Sequence, residues 1–217
     1  MDLEKARFNM VESQIRPWGV LDQTVLDLLY RVKREEYVPP VFRSLAFSDL
    51  EIPIGHGQTM LAPKLEARML QELRLSPTDK VLEVGTGSGY FTALLASLAR
   101  HVISVEIIPA LAAEAQAKLA AHEFTNVTLE VGDAARGWDK HAPYDVIVLT
   151  GATPVLPESL LTNLRPNGRL LAVVGEPPVM EARRVVMVEP GVFETEDLFE
   201  TCIAPLVNAA KPVRFVF

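Results

Sequence analysis

One cysteine and no long apolar run are the first absences that limit what this chain can be. Cys202 can form neither an internal disulfide nor a zinc site with cysteine partners, and its apolar neighbours predict a buried structural thiol. No apolar stretch approaches the roughly 20 residues that cross a bilayer. The N-terminus, with Asp2, Glu4 and Lys5, is too charged for the apolar part of a signal peptide. We therefore expect a cytoplasmic protein without a membrane partner.

Positive charge is also scarce. Lys and Arg number 21 against 28 Asp and Glu, which gives a formal net charge of −7 over 217 residues. An acidic chain lacks the long-range attraction to phosphate that supports nucleic-acid binding, so no nucleic-acid partner is expected. No pair of histidines or carboxylates has metal-ligand spacing, and no metal is expected. The 49% of hydrophobic residues is typical of a globular chain with a full core.

Short β-branched runs alternate with helical patterns from Val81 onward. The predicted strands are Val81–Gly85, His101–Glu106, Val127–Gly132, Tyr144–Thr150, Arg169–Gly175, Arg184–Val188 and Leu198–Pro205. The helices predicted between the first five strands are Tyr90–Ala99, Pro109–His122 and Leu156–Leu164. This alternation predicts an α/β fold with a mostly parallel sheet and helices on both faces. The last two strands follow each other without a helix and are joined by a turn-like Glu-Pro-Gly at 189–191, so we expect an antiparallel pair at one edge.

The first 80 residues follow a different pattern. Apolar residues recur at helical spacing from Leu21 to Val32, and Pro39 and Pro40 end that helix. Residues 43–63 are interpreted as a loop with short extended pieces, and a second helix is predicted over Lys64–Leu75. Since no repeat or flexible linker interrupts the chain, residues 1–217 are predicted to form a single domain. In it, residues 1–80 are a helical and looped addition, and residues 81–217 are the α/β core.

A glycine-rich turn follows the first predicted strand. Its glycines, at positions 85, 87 and 89, permit positive φ and let a ligand approach the backbone closely. A tight strand-to-helix turn without a ligand has the same composition, so the turn alone leaves both interpretations open. Glu106 ends the next strand, where a carboxylate can accept hydrogen bonds from both hydroxyls of a ribose. Asp133 ends the strand after that, within reach of an adenine amino group. Asp145 begins a strand and is either a cap or a further ligand.

The glycine spacing distinguishes between nucleoside cofactors. Dinucleotide folds use Gly-x-Gly-x-x-Gly, whereas the third glycine here comes one residue earlier and Glu83 precedes the turn. This combination suits a cofactor with an amino-acid tail and a sulfonium in place of a pyrophosphate. We therefore predict S-adenosyl-L-methionine, with Glu83 holding the charged end of the tail through ordered water or the loop backbone. The predicted cofactor contacts are Glu83, Gly85, Thr86, Gly87, Ser88, Gly89, Glu106, Ile107, Asp133 and Ala134.

The sequence resembles the protein-L-isoaspartate O-methyltransferase family from about Ile15 to Gly175. The segments that carry the resemblance are Arg34–Pro39 (REEYVP), Gly55–Thr59 (GHGQT), Val81–Tyr90 (VLEVGTGSGY), Gly132–Asp133 and Gly137–Trp138. The resemblance implies a Rossmann-like, seven-stranded methyltransferase sheet with one antiparallel edge strand and an N-terminal addition. It also implies methylation of the stray carboxylate of isoaspartyl residues in damaged proteins, which starts their repair. The implied partner is a protein or peptide that contains such a residue.

The acceptor side departs from the family pattern at one position. The resemblance implies that Thr59 helps to position the substrate, followed by an aliphatic residue and a serine. Leu61 stands at the serine position, and leucine cannot donate a hydrogen bond to a carboxylate. Either Thr59 covers the role alone or the substrate has changed. His56, in the same loop, either steers the acceptor or is satisfied by backbone contacts.

Two other functions remain open at this stage. A divergent family member would methylate another small carboxylate, hydroxyl or amine, and Leu61 favours that interpretation. A module that binds S-adenosylmethionine without methylating would bind the cofactor tightly and turn over no acceptor. Both share the predicted cofactor site, so an isoaspartyl peptide assay separates them from the repair enzyme.

Overall fold

The computed structural model describes residues 2–212, and its first part is helical. Helix α1 (Leu3–Met10) continues through a π-helical turn at 11–15 and a 3-10 turn at 16–18. Helix α2 (Gln23–Arg31) is capped by Asp22, whose side chain accepts a hydrogen bond from the backbone N–H of Thr24. The apolar spacing predicted α2 but not α1. Only Arg7 and Met10 of α1 are buried, and a buried arginine gives no apolar signal.

A small hairpin and a third helix complete the N-terminal addition. Strands β1 (Ile52–Gly55) and β2 (Gln58–Met60) pair antiparallel, with His56 and Gly57 at the tip in left-handed backbone conformations. These are the short extended pieces expected within residues 43–63. Helix α3 (Pro63–Leu73) begins with a proline, which a first helical turn tolerates.

The remaining elements alternate between strands and helices before two final strands. They are β3 (Lys80–Val84), α4 (Tyr90–Leu98), β4 (His101–Glu106), α5 (Pro109–Ala121), β5 (Val127–Val131), β6 (Tyr144–Leu149), α6 (Glu158–Thr162), β7 (Leu164–Glu176), β8 (Val179–Glu189) and β9 (Val192–Thr201). The seven-stranded sheet has the order β5-β4-β3-β6-β7-β8-β9. Strands β3 to β7 are parallel, and β8 pairs antiparallel with both neighbours. The predicted mostly parallel sheet with an antiparallel pair at one edge is confirmed, and the reversed strand is β8, next to the edge strand β9.

Side chains of the central strands alternate between two hydrophobic clusters. Val81 belongs to the cluster that also contains residues of α2, α3 and α4, whereas Leu82 and Val84 belong to the cluster that contains Leu160 of α6. The N-terminal addition therefore covers one face of the sheet. None of the helices in residues 2–212 has the length and apolar character that crossing a bilayer requires.

Two buried ion pairs connect separate segments within the N-terminal addition. Arg7 Nη2 lies 2.5 Å from Glu35 Oε1, and Arg34 pairs with Glu66; all four side chains are buried. Arg34 also donates hydrogen bonds to the carbonyls of Ala46 (2.9 Å) and Leu61 (2.7 Å). Because a buried charge is costly when it is unpaired, these contacts hold the loop around Leu61 in place.

The last predicted strand was placed wrongly. Strand β9 ends at Thr201, and the chain then leaves the sheet and crosses the ends of the parallel strands. Its new course is fixed by hydrogen bonds between Ala152 N and Ala204 O and between Leu206 N and Ala152 O, both 2.9 Å. Cys202 is exposed, so the prediction of a buried thiol is wrong.

Candidate active site

A cavity opens at the carboxyl ends of the parallel strands. The chain proceeds from β3 to β4 and β5 in one direction and returns to β6 on the other side of β3, and ligands of α/β sheets bind at such a switch point. The walls are the β1–β2 hairpin, the glycine turn, the ends of β4 and β5, residues 150–151 and residues 204–207. The cavity thus has one side made by the N-terminal addition and one made by the chain after β9.

The glycine turn forms the floor of the cavity. Gly85 and Gly87 have φ of +98° and +54°, a region that side chains with a Cβ rarely adopt. A Cβ at Gly85 would clash with Thr150 Oγ1, and one at Gly87 would lie 3.3 Å from Ile54 Cδ1. The absence of side chains here therefore keeps the cavity open, as a ligand that approaches the backbone requires.

Glu106 places a carboxylate in the cavity wall. Its Oε2 accepts a hydrogen bond from Gly87 N (2.8 Å), and its Oε1 accepts one from Ile108 N (3.0 Å). The residue is 4% exposed, so these two backbone donors hold the side chain in one orientation. Each oxygen keeps a further lone pair, which suits a pair of ribose hydroxyls.

Three more predicted cofactor residues line the same wall. Ile107, Asp133 and Ala134 follow the ends of β4 and β5. Asp133 accepts hydrogen bonds from Ala135 N (3.0 Å) and from Asn208 Nδ2 (2.9 Å). The side chain of Asp133 therefore connects the end of β5 to the segment after β9 and helps to close the cavity.

Four predicted cofactor residues lie outside this cavity. Thr86 and Ser88 line a smaller recess beside it, whereas Gly89 lines neither space and is the N-cap of α4. Glu83 is fully buried within β3, where its Oε2 accepts hydrogen bonds from Thr92 Oγ1 (2.5 Å) and Ser104 Oγ (2.6 Å). The carboxyl is enclosed between β3, β4 and α4 and does not line the cavity, so contact with the cofactor tail through ordered water or the loop backbone stays a prediction.

Asp145 lies at the opposite end of the sheet. Its Oδ2 accepts a hydrogen bond from Lys80 N (2.7 Å), and its Oδ1 lies 2.8 Å from Arg165 Nη1. The sequence left Asp145 as either a strand-start cap or a further ligand, and the structure shows the cap.

The protonation of Glu83 makes the stability of the fold depend on pH. Burial raises its pKa from 4.5 to about 8, and the hydrogen bonds from Ser104 and Thr92 lower it only in part. The folded chain therefore retains a proton between these values that the unfolded chain has released. The contribution of this proton to stability is complete below the unfolded pKa and is lost as the pH rises toward 8.

As the pH rises from 5 to 9, we expect the free energy of unfolding of Glu83→Gln to increase relative to that of the wild type, because the wild type loses the proton on Glu83. Each kcal/mol of difference corresponds to about 2–4 °C in Tm for a chain of this size, and calorimetry at each pH measures it. Glu194→Gln, on the exposed edge strand β9, is the control that should follow the wild type throughout. The expectation would be contradicted if the Tm of Glu83→Gln differed from that of the wild type by the same amount at pH 5 and at pH 9.

The β1–β2 hairpin carries the residues predicted for the acceptor side. Thr59 lines both the cavity and the recess, and its Oγ1 donates a hydrogen bond to Glu51 Oε2 at 2.9 Å. Leu61 is buried and lines both spaces as well. His56 is exposed at the hairpin tip and lines neither, so the structure does not bring it to the other predicted residues.

Sequence reasoning missed the wall made by residues 204–207. Ala204, Pro205, Leu206 and Val207 face the glycine turn across the cavity, and a Cβ at Gly151 would lie 3.0 Å from Leu206. The pattern after 198 was interpreted as one strand through residue 205. A proline is disfavoured inside a sheet, so Pro205 was the one signal that the strand ended earlier.

Comparison with known proteins gives a consistent result along the whole chain. The family model described as protein-L-isoaspartate(D-aspartate) O-methyltransferase matches residues 6–211. A protein-L-isoaspartate O-methyltransferase from Gloeobacter violaceus is 40% identical over 199 residues, which cover 92% of this chain and 97% of the relative. One from Methylorubrum extorquens is 40% identical over 215 residues, covering 98% and 94%.

Solved structures share the fold. A protein-L-isoaspartate O-methyltransferase from Plasmodium falciparum, in complex with S-adenosyl-L-homocysteine, superposes with a TM-score of 0.79 at 21% identity, covering 92% of this chain and 97% of that chain. A second structure of that name has a TM-score of 0.78 at 23% identity, covering 95% and 66%. At these identities, the likeness shows a common fold.

Proposed function

This chain belongs to the protein-L-isoaspartate(D-aspartate) O-methyltransferase family, and we propose that it methylates the stray carboxylate of isoaspartyl residues with S-adenosylmethionine as donor. The observation that carries the proposal is one cavity with the glycine turn and Glu106 on one side and the Thr59 hairpin on the other. The open backbone at Gly87 and the fixed carboxylate of Glu106 fit a nucleoside with a slender tail. We also propose a role in the repair of damaged proteins in the cytoplasm, carried out by a single domain.

The reaction requires alignment more than acid–base catalysis. When bound, S-adenosylmethionine supplies an electrophilic methyl group on a positively charged sulfur. A carboxylate acceptor is already ionised, so no residue has to remove a proton from it. The protein instead has to hold the two reactants in line and exclude water from between them. Leu61 and Leu206 give the cavity apolar walls that serve this purpose.

The predicted residues divide into three groups in this proposal. Those that hold the nucleoside and tail are Gly85, Gly87, Glu106, Ile107, Asp133 and Ala134. Those that shape the turn from outside the cavity are Glu83, Thr86, Ser88 and Gly89. Thr59 lies on the acceptor side, and His56 has no part in the reaction because its side chain lies outside the cavity.

A methylation assay tests the proposal. We expect methyl transfer from labelled S-adenosylmethionine to a peptide with an isoaspartyl residue, and none to the same peptide with a normal aspartyl residue. The second candidate function is methylation of another small acceptor, which Leu61 favours because it removes a hydroxyl from the acceptor side. Binding of S-adenosylhomocysteine without turnover of the isoaspartyl peptide would exclude the first function, and methyl transfer to another small acceptor would then establish the second.

Replacing Leu61 tests the departure from the family pattern. We expect Leu61→Ser to raise kcat/KM for the isoaspartyl peptide by roughly tenfold, because a hydroxyl can donate a hydrogen bond to the carboxylate. Leu61→Ala is the matched control, since it removes the same bulk without adding a donor. Equal activity of the serine and alanine variants would mean that bulk alone, and not a missing donor, limits the wild type.

A further inference from the structure

An anionic acceptor needs hydrogen-bond donors on its side of the cavity. Among the described residues that line the cavity, three side chains carry an N–H or O–H group: Gln58, Thr59 and Thr150. None of the lining residues is a lysine, arginine or histidine. Within the cavity itself, the groups able to donate to an acceptor carboxylate are therefore these three side chains and the backbone.

Two of the three donors are already in use. The hydroxyl of Thr59 donates to Glu51 Oε2 (2.9 Å), and a carboxylate can only accept. The hydroxyl of Thr150 donates to the carbonyls of Gly85 (2.6 Å) and Val84 (3.0 Å). Since a hydroxyl has one proton, neither can donate to the substrate while these bonds exist. Thr59 instead presents its free lone pairs to the cavity.

Gln58 is the donor that is left. It is half-buried on β2, lines the cavity beside Thr59, and its carboxamide makes no hydrogen bond within residues 2–212. A carboxamide has two N–H donors, which match a carboxylate oxygen. Leu61, the other residue of this wall close in sequence, has no donor in its side chain, and its carbonyl is bound by Arg34.

We infer that the side-chain amide of Gln58 binds the acceptor carboxylate, and that Thr59, whose proton is held by Glu51, accepts a hydrogen bond from the substrate's backbone N–H. The inference rests on the proposed function and adds the residue that recognises the negative charge. It explains how a chain with leucine at the serine position can still take an anionic acceptor. Gln58 is then a specificity residue for carboxylate over neutral acceptors.

A charge change at Gln58 tests the inference. With Gln58→Ala, we expect kcat/KM for an isoaspartyl peptide to fall roughly tenfold to a hundredfold, as for loss of a hydrogen bond to a charged group. With Gln58→Glu, the fall should be larger because the new carboxylate repels the acceptor. The affinity for S-adenosylhomocysteine should remain that of the wild type in both. Gln116→Glu, the same change on the exposed face of α5, should leave every constant unchanged.

A neutral ligand provides a readout that a structural role of Gln58 would not move. In an isoasparaginyl peptide, a carboxamide replaces the acceptor carboxylate and can donate hydrogen bonds. The wild type should bind the isoaspartyl peptide more tightly than the isoasparaginyl peptide, and Gln58→Glu should reverse that order. A uniform loss of both affinities would mean a misfolded wall and would overturn the inference.

The remaining outcomes separate the inference from the proposed function. If the wild type methylates the isoaspartyl peptide and Gln58→Glu retains the wild-type order of affinities, the inference alone is wrong. If Thr59→Val, rather than Gln58→Ala, removes the preference for the carboxylate, Thr59 is the donor and the inference is again wrong. If the wild type binds S-adenosylhomocysteine but not the isoaspartyl peptide, the proposed function itself fails, and the inference with it.

Discussion

Replacing Glu106 with alanine is expected to weaken the binding of S-adenosylhomocysteine by two orders of magnitude or more. In the proposed complex, the carboxylate accepts hydrogen bonds from both ribose hydroxyls, and each hydrogen bond to a charged group contributes roughly 1.5–3 kcal/mol. Alanine also removes the bonds from Gly87 N and Ile108 N that fix the turn. Glu106→Gln, which keeps one accepting oxygen, should fall between alanine and the wild type. Isothermal titration calorimetry measures all three dissociation constants.

Asp145→Asn is the matched control for Glu106. Asp145 also holds a backbone N–H, that of Lys80, but at the amino end of the sheet, away from the cavity. Its replacement should leave the affinity for S-adenosylhomocysteine unchanged, even where it lowers Tm. An affinity of Glu106→Ala within a few-fold of the wild type would show that the ribose binds elsewhere, and the assignment of this wall would be wrong.

Gly87→Val is expected to reduce the affinity for S-adenosylhomocysteine by about a hundredfold or more. The backbone at Gly87 has a φ of +54°, where a β-branched residue is strained by about 1–3 kcal/mol. The added side chain would also extend into the cavity toward Ile54, whose Cδ1 lies 3.3 Å from the ideal Cβ position. Overpacking of this kind typically costs a further 1–3 kcal/mol. Calorimetric titration measures the loss of binding, and Tm without ligand measures the strain.

Gly191→Val separates strain from loss of the site. Gly191 lies in the turn between β8 and β9 with a φ of +80°, and a Cβ there would meet no atom within 4 Å. This variant should show a comparable fall in Tm with wild-type affinity for S-adenosylhomocysteine. If Gly87→Val and Gly191→Val lose stability equally and both bind normally, the turn at Gly87 does not hold the cofactor tail.

The donor side of the cavity was predictable because it depends on short stretches of sequence. A buried strand, a glycine turn and a helix follow one another directly, and Glu106 ends the next parallel strand, so topology brings it to the same edge. Gly85, Gly87, Glu106 and Asp133 line one cavity. Side-chain contacts with the cofactor stay predictions.

The burial of the Glu83 side chain follows from the strand period of the sequence. In a strand, alternate residues face opposite sides, so Glu83 shares the face of Val81, which α4 covers. Its hydrogen bond to Thr92 of α4 follows from that geometry. An acidic residue beside a glycine turn was interpreted by its distance along the chain, whereas the strand period determines where it points.

The acceptor side depends on contacts between distant segments, which a single sequence does not show. The bond from Thr59 to Glu51 requires the register of the β1–β2 hairpin, and the position of Leu61 depends on Arg34 from another loop. The wall at residues 204–207 requires the chain to leave the sheet after Thr201. Apolar spacing does not specify any of these, because the residues involved occupy turns and irregular segments.

The wall at residues 204–207 also determines when a newly made chain becomes able to bind its donor. During synthesis, the glycine turn and Glu106 emerge from the ribosome long before the residues that close the opposite side. Until Leu206 bonds to Ala152, the donor cavity lacks that side and remains open to water. Binding of S-adenosylmethionine therefore reports on the folding of nearly the entire chain, and a ribosome-stalled chain that ends at Gly151 should not retain the nucleoside.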